Sequence, residues 1–206
     1  MKKNKVIVVY GGSFNPILYS HLSLAQHVVN EYSEVQKVIF VPVNSKYDKT
    51  GLESNFHRYK MVEQAIAGNE KFTLSDIEMQ TEEPVYTFQV LEEIQKQYPE
   101  HDIWFLLGTD NLKLLKTWKQ AKFLVNHYHF LVLERGEDQL EEILQADAFL
   151  KENQQAFIKV KNRTPNYMSA TIVRGMIKEG KQIRYLAPDR VCDYIKRNGL
   201  YQERGE

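Results

Sequence analysis

Two polar loops, far apart in the chain, carry the residue types best suited to chemistry. The first runs from Gly11 to His21 and reads Gly-Gly-Ser-Phe-Asn-Pro-Ile-Leu-Tyr-Ser-His, directly after an apolar run. Its glycines let the backbone approach a ligand closely, and Pro16 leads into a helix whose N-terminus favours anions. At the start of that helix, His21 would donate a hydrogen bond to a phosphate. The alternative is a plain glycine-rich turn, with His21 a partly buried helix residue.

The second loop runs from Lys161 to Arg174 and leads into another predicted helix. Ser169 is a good N-cap residue, and Thr171 and Arg174 follow near the helix start. A cation there opposes the helix dipole unless an anion occupies the spot. A triphosphate would resolve the conflict, since hydroxyl, amide and guanidinium groups would converge on it. The alternative places Arg174 on a solvated helix face.

The elements that must position these loops alternate between short β-rich and longer amphipathic segments. This rhythm predicts an α/β fold, with a parallel sheet covered by helices on both faces. Ligands of such sheets bind beyond the carboxyl ends of the strands. The predicted strands are Lys5–Tyr10, Lys37–Val41, Phe72–Ser75, Asp102–Leu107, Tyr128–Leu133 and Ala156–Val160. The predicted helices are 18–32, 55–68, 86–97, 111–126, 138–153, 169–179 and 188–198.

Composition argues against a protein that binds nucleic acid or membranes through its overall charge. The 206 residues carry 27 basic and 27 acidic side chains, so no global field steers the protein to nucleic acid or a membrane. A single cysteine, Cys192, fits a reducing compartment, and no apolar run approaches a membrane span. We expect a cytoplasmic protein with one domain over residues 1–206. Residues 161–206 would form its C-terminal phosphate-binding helical part.

Taken together, the two loops resemble those of the nicotinate/nicotinamide mononucleotide adenylyltransferases. This family belongs to the nucleotidyltransferase superfamily with a His-x-Gly-His signature. Its members open with a strand and Gly-Gly-[Ser/Thr]-Phe-[Asp/Asn]-Pro, and close with Ser-Ser-Thr-x-x-Arg and Arg-Tyr-Leu-x-Pro. Here the closing segments are Met168 to Arg174 and Arg184 to Pro188, in the expected order. The resemblance implies a Rossmann-like doubly wound sheet of the adenine nucleotide α-hydrolase-like type, with C-terminal helices.

Middle segments extend the resemblance. The eukaryotic branch of the family has a stretch similar to Pro42-Val43-Asn44 with His57-Arg58. The family's stretch that borders the pyridine ring is similar to Val85-Tyr86-Thr87. Its Gly-x-Asp…Trp pattern is similar to Gly108-Thr109-Asp110 with Trp118. The resemblance implies His21 and Arg174 as catalytic residues. It implies that ATP is bound by Gly11, Gly12, Ser13, Phe14, His21, Gly108, Asp110, Ser169, Thr171 and Arg174. It implies that the mononucleotide is bound by Asn15, Lys49, Tyr86, Thr87, Trp118 and Arg135. Core packing is the alternative for Trp118, a helix cap for Asp110, and a solvated loop for Arg135.

Two positions depart from the signature. Leu18 replaces its first His and Ser20 its Gly. The implied reaction is attack of the mononucleotide phosphate on the α-phosphate of ATP, with loss of pyrophosphate. Mg²⁺ would accompany the ATP, because no carboxylate pair or His/Cys cluster suggests a protein-only metal site.

Several readings stay open. Another adenylyltransferase of the superfamily, such as one acting on phosphopantetheine, is disfavoured by Tyr86-Thr87 and Trp118. A non-catalytic nucleotide-binding regulator is suggested by Leu18, and a plain binding module in a larger assembly is a further alternative. The sequence favours nicotinate over nicotinamide mononucleotide as substrate, without deciding between them. Whether the chain forms a homo-oligomer is also open.

Overall fold

The computed structural model describes residues 5–45, 51–80, 83–161 and 168–202. Within them, six parallel strands form one sheet in the order β3-β2-β1-β4-β5-β6. This is the predicted doubly wound α/β arrangement, and the order in which strands are added to the sheet reverses between β1 and β4. The strands are β1 Val6–Gly12, β2 Val35–Pro42, β3 Phe72–Leu74, β4 Asp102–Gly108, β5 His129–Leu133 and β6 Phe157–Lys159.

Helices cover both faces of the sheet. They are α1 Tyr19–Glu31, α2 Asn55–Ile66, α3 Thr87–Gln97, α4 Thr109–Leu112, α5 Ala121–His127, α6 Leu140–Ala146, α7 Ala148–Glu152, α8 Ala170–Lys178 and α9 Asp189–Arg197. Because side chains alternate along a strand, β1 serves two cores. Val6 and Val8 pack with α1, α2, α8 and α9, whereas Ile7 and Val9 pack with α3 and the helices α4 to α7. Both faces are therefore sealed, which explains the continuous apolar strands.

The predicted helix 111–126 is wrong as a single element. The structure has α4, a 3₁₀ turn at Leu115–Thr117, and then α5. The Thr117 hydroxyl donates to the Leu114 carbonyl oxygen at 2.7 Å, which competes with helix continuation. Trp118 is extended, and Gln120 lies in the left-handed region at φ 59°. The break moves Trp118 out of a helix and onto the rim of a cavity described below.

The predicted helix 138–153 is also divided. Its second part, α7, has its own N-cap, because Oδ1 of Asp147 accepts from the backbone N–H groups of Phe149 and Leu150. An aspartate in this position starts a helix, and the preceding helix α6 ends at Ala146. The remaining predicted elements are confirmed, with ends shifted by a few residues.

Candidate active site

The loop after β1 lies at the switch point of the sheet and is folded tightly. A Cβ atom on Gly12 would lie 3.0 Å from Cζ of Phe14, so the Phe14 ring packs directly over the glycine backbone. Phe14 itself has φ 42° and is 2% exposed. The resemblance implied that Phe14 binds ATP; its side chain instead fills the core beneath the loop. A side chain at position 12 would therefore have to displace the Phe14 ring, so packing favours glycine there.

Asn15 forms the framework of this loop. Its Nδ2 donates to the Gly51 carbonyl oxygen at 2.9 Å, and its Oδ1 accepts from the Tyr201 hydroxyl at 2.8 Å and the Glu53 backbone N–H at 3.2 Å. The residue is 2% exposed. The direct substrate contact predicted for Asn15 is therefore not what this geometry provides, because its amide is engaged inside the protein.

Arg174 joins the two polar loops. Its Nη1 donates to the Asn15 carbonyl oxygen at 2.8 Å, and its Nη2 to the Thr171 hydroxyl at 3.3 Å. Ser169 is the N-cap of α8, as predicted, and its Oγ accepts from the Ile172 backbone N–H at 3.3 Å. The alternative of Arg174 on a solvated face is wrong, since the residue is half-buried against the first loop.

A buried arginine on α2 secures the same region from beneath. Arg58 is fully buried and donates to the carbonyl oxygens of Glu53, Ser13 and Val43 at 2.9, 2.9 and 2.6 Å. Burial lowers the pKa of its guanidinium, and the aromatic hydroxyl of Tyr201 is among the groups that oppose this shift. Its hydrogen bonds tie the loops after β1 and β2 to α2. In the sequence, Arg58 stands out only as part of the His57-Arg58 motif, which gives no sign of this framework role.

His21 has a defined hydrogen-bonding state. The backbone N–H of Leu18 donates to Nδ1 of His21 at 3.0 Å. Burial, together with the smaller effect of the positive charge of Arg135, lowers the pKa of the imidazole to about 4. The ring is therefore neutral at pH 7, and because Nδ1 accepts, the proton resides on Nε2. Phe14 fixes the ring edge-to-face at 5.4 Å between centroids. His21 is thus held in place as a hydrogen-bond donor through Nε2–H.

The start of α1 offers fewer free amides than predicted. The Tyr19 N–H donates to the Leu186 carbonyl oxygen at 3.0 Å, and the Leu18 N–H is taken by His21. Leu186 belongs to the Arg-Tyr-Leu-x-Pro segment, so this motif covers the helix start. An anion at this place would depend on the His21 ring more than on the helix amides.

The end of β4 carries a compact charged group. The backbone N–H of Arg135 donates to the Thr109 hydroxyl at 3.2 Å, and its Nη1 lies 3.4 Å from Oδ2 of Asp110. A Cβ on Gly108 would lie 2.6 Å from Nε of Arg135, so the glycine leaves room for this pair. Asp110 is in the first turn of α4, whose N-cap is Gly108, so the cap alternative for Asp110 is wrong.

A cavity of about 380 Å³ opens between the ends of β1 and β4. This is within the range usual for small-molecule sites. One wall is aromatic, because Phe105 meets Trp118 edge-to-face at 6.1 Å between centroids. The start of α3 closes another side through Tyr86 and Thr87. The predicted site residues that line the cavity are Gly11, Gly12, Ser13, Tyr86, Thr87, Gly108, Trp118 and Arg135.

The other predicted residues lie around this cavity. His21 borders Phe14, and Asp110 pairs with Arg135. Ser169, Thr171 and Arg174 lie at the start of α8, where Arg174 contacts the first loop at the Asn15 carbonyl oxygen. Lys49 lies outside the described residues. Sequence reasoning missed the lining residues Glu78, Asn111 and Lys119. Glu78 joins two distant segments, because its buried Oε2 accepts from the Asn44 N–H at 3.1 Å.

Known proteins resemble this chain in sequence and in fold. Residues 9–176 match the family model described as cytidylyltransferase-like. A relative from Desulfitobacterium hafniense (strain Y51), named "Probable nicotinate-nucleotide adenylyltransferase", is 34% identical and aligned over 96% of each chain. One of the same name from Clostridium acetobutylicum is 32% identical over 98% of this chain and 100% of its own. The chain belongs to the cytidylyltransferase-like family. Its relatives place it among the nicotinate-nucleotide adenylyltransferases, which are nucleotidyltransferases.

Solved structures share the fold of this family member. The Plasmodium falciparum nicotinic acid mononucleotide adenylyltransferase complexed with NaAD has a TM-score of 0.76 at 24% identity, covering 96% of this chain and 97% of its own. The same enzyme complexed with APC has a TM-score of 0.75 at 22% identity, covering 96% and 97%. Across the described ranges, no helix combines the length and apolar character needed to span a membrane.

Proposed function

We propose that the protein transfers AMP from ATP to nicotinate mononucleotide, which forms the nicotinate adenine dinucleotide and releases pyrophosphate. The observation that carries the proposal is the convergence of a neutral, donor-ready His21, two arginines and an aromatic-walled cavity at the switch point of the sheet. Relatives of about one-third identity over nearly the whole chain carry this activity in their names.

The cavity supports a pyridine nucleotide as the acceptor. The pyridinium ring of the mononucleotide is cationic, and an aromatic wall of Trp118 and Phe105 suits a flat cation. Tyr86 and Thr87 border the same space at the start of α3. Arg135, whose guanidinium is exposed at the rim, would hold the phosphate of the mononucleotide. Lys49 would join it there, as the resemblance implies.

The binding site for the phosphates of ATP would be formed by the two polar loops. Nε2–H of His21 would donate to the α-phosphate, where charge develops in the transition state. Gly11, Gly12 and Ser13 line the cavity at the end of β1 and would lie along the phosphates. Arg174 keeps donors beyond its two internal bonds and would, with Ser169 and Thr171, hold the β- and γ-phosphates. Asp110, next to Gly108, would hold a ribose.

The transfer needs little proton chemistry. A phosphate nucleophile is already ionised at pH 7, so no general base has to activate it. What remains for the protein is alignment of the two phosphates and stabilisation of charge on the pentavalent phosphorus. A neutral His21 suits this work, because its proton is held on Nε2 and is not lost or gained near pH 7.

Mg²⁺ would arrive with ATP. Among the described residues, no three His, Cys, Asp or Glu side chains are grouped so as to hold a metal ion. The phosphate oxygens of ATP are themselves the oxygen donors that Mg²⁺ prefers. Bound in this way, the ion would supply charge neutralisation on the triphosphate.

The side chain of Leu18 does not weaken this proposal. It is fully buried in the apolar core, whereas the Leu18 backbone N–H holds His21 in its donor state. The departure from the signature therefore removes a side-chain contact but keeps the positioning of His21. This supports an active enzyme over a non-catalytic regulator.

The test is a coupled assay of pyrophosphate release with ATP, Mg²⁺ and each mononucleotide in turn. Release that requires nicotinate mononucleotide supports the proposal. Release with nicotinamide mononucleotide alone would assign the other substrate. ATP binding without release from either would identify a non-catalytic relative and refute the proposal.

A further inference from the structure

Lys119 is a cavity residue that the proposed reaction leaves without a role. It directly follows Trp118 and lines the same cavity as Tyr86 and Thr87. Neighbouring lysines have acidic partners: Lys116 lies 2.5 Å from Oδ2 of Asp147, and Lys113 lies 2.6 Å from Oδ1 of Asp138. Over the described ranges, the structure gives no ion pair or hydrogen bond for the Lys119 ammonium group.

The other charges around the cavity are already compensated. Arg135 pairs with Asp110, and Glu78, the carboxylate among the lining residues, is buried and interacts electrostatically with the guanidinium of Arg58. The side of the cavity formed by Trp118 and the start of α3 therefore carries an unneutralised positive charge. The positive end of the α3 dipole adds to it, since the 11-residue helix begins at Thr87.

We propose that Lys119 is a specificity-determining residue, whose ammonium group selects the pyridine carboxylate of nicotinate mononucleotide over the carboxamide of nicotinamide mononucleotide. The two acceptors differ only at this group, which is anionic in one and neutral in the other. A lysine on the aromatic wall discriminates by charge and needs no exact loop geometry. This inference rests on the proposed function and deepens it.

The expected magnitude is modest because Lys119 is exposed. An exposed ion pair contributes up to about 1 kcal/mol, which corresponds to about a fivefold change in rate or affinity. The contribution decreases with salt, because ions screen exposed charges. Selectivity would therefore be highest at low ionic strength.

The experiment measures kcat/KM for both mononucleotides with the wild-type enzyme, Lys119→Met and Lys119→Glu. Lys122→Met is the matched control, since Lys122 is an exposed lysine on α5 that does not line the cavity. Lys119→Met is expected to lower kcat/KM for nicotinate mononucleotide about fivefold and to leave nicotinamide mononucleotide within about twofold. Lys119→Glu is expected to lower the nicotinate value further and to raise the share of nicotinamide product. The control keeps the wild-type ratio.

An equal loss with both substrates would overturn the inference, because it would place Lys119 on the phosphate that they share. No change with either would overturn it as well. If the wild-type enzyme releases no pyrophosphate with either mononucleotide, the proposed function itself fails. That outcome differs from an active wild type whose Lys119 variants keep its selectivity.

Discussion

Replacement of His21 separates the two hydrogen bonds that its ring nitrogens provide. Nδ1 accepts from the Leu18 N–H, and Nε2 carries the donor proposed for the α-phosphate. In His21→Asn, the side-chain oxygen takes the place of Nδ1, whereas nothing replaces Nε2–H. In His21→Ala, both groups are lost. The pair of variants therefore distinguishes a catalytic donor from a structural cap.

The expected magnitudes differ for the two roles. Loss of one donor to the transition state costs on the order of 100- to 1,000-fold in kcat, which is roughly 3–4 kcal/mol. Loss of the acceptor for the Leu18 N–H costs about 1 kcal/mol of stability, as for other helix caps. Both variants should therefore lose activity alike, but only His21→Ala should lose stability. Kinetics and denaturant unfolding measure the two quantities.

The pH dependence gives an independent check. Because the folded pKa of His21 is about 4 and the ordinary value is 6.5, the unfolded state binds more protons between these values. The wild-type protein should lose stability as the pH falls through this window, and His21→Asn should lose less. For the free enzyme, kcat/KM should show no His21 titration between about pH 5 and 8.

Any of three results would contradict a neutral His21 that donates to the phosphate. His21→Asn could keep wild-type activity, the wild-type kcat/KM could fall with a midpoint near pH 6.5 that His21→Asn lacks, or stability could be equally pH-dependent in both proteins. Each would show that the ring is charged or is not the donor.

Three further outcomes are expected. Leu18→His, which would restore the signature residue, should not raise kcat. It should lower the free energy of unfolding by about 2 kcal/mol, because it buries a polar ring in an apolar core. A faster enzyme would contradict this expectation. Gly108→Ala should displace Arg135 and Asp110 and raise KM several-fold. The free energy of unfolding should change by less than about 1 kcal/mol, since both side chains are exposed. An unchanged KM would show that the pair does not contribute to substrate binding. Tyr201→Phe should lower the free energy of unfolding by about 1 kcal/mol, because the Tyr201 hydroxyl is the buried donor to Oδ1 of Asn15. Urea unfolding measures this loss, and an unchanged midpoint would show that the hydrogen bond does not stabilise the fold.

Much of the fold was predictable because it follows from local pattern. Continuous apolar strands alternating with amphipathic segments imply a parallel sheet, and helix caps such as Ser169 can be recognised from residue type. The position of both polar loops at the carboxyl edge of the sheet was also predictable, since parallel strands end at the same edge. The bond from Arg174 to the Asn15 carbonyl oxygen at that edge is known only from the structure.

What escaped prediction depends on side-chain direction and on contacts between distant segments. The tautomer of His21 follows from one hydrogen bond within α1, and the role of Asn15 from contacts with residues 36 to 186 positions away. The break at Gln120, where the backbone enters the left-handed region without a glycine, put Trp118 and Lys119 on the cavity. A helical pattern over 111–126 gives no sign of it.

The central claim is direct transfer of an adenylyl group, and labelled ATP tests it most directly. The purified protein is incubated with Mg²⁺, nicotinate mononucleotide and ATP that carries an isotope in its α-phosphate. The products are then separated, and the position of the label is determined by mass spectrometry. We predict the label in nicotinate adenine dinucleotide, with unlabelled pyrophosphate in equal amount, and no dinucleotide from His21→Ala on the same time scale. Label found only in AMP, or retained in ATP, would contradict the account.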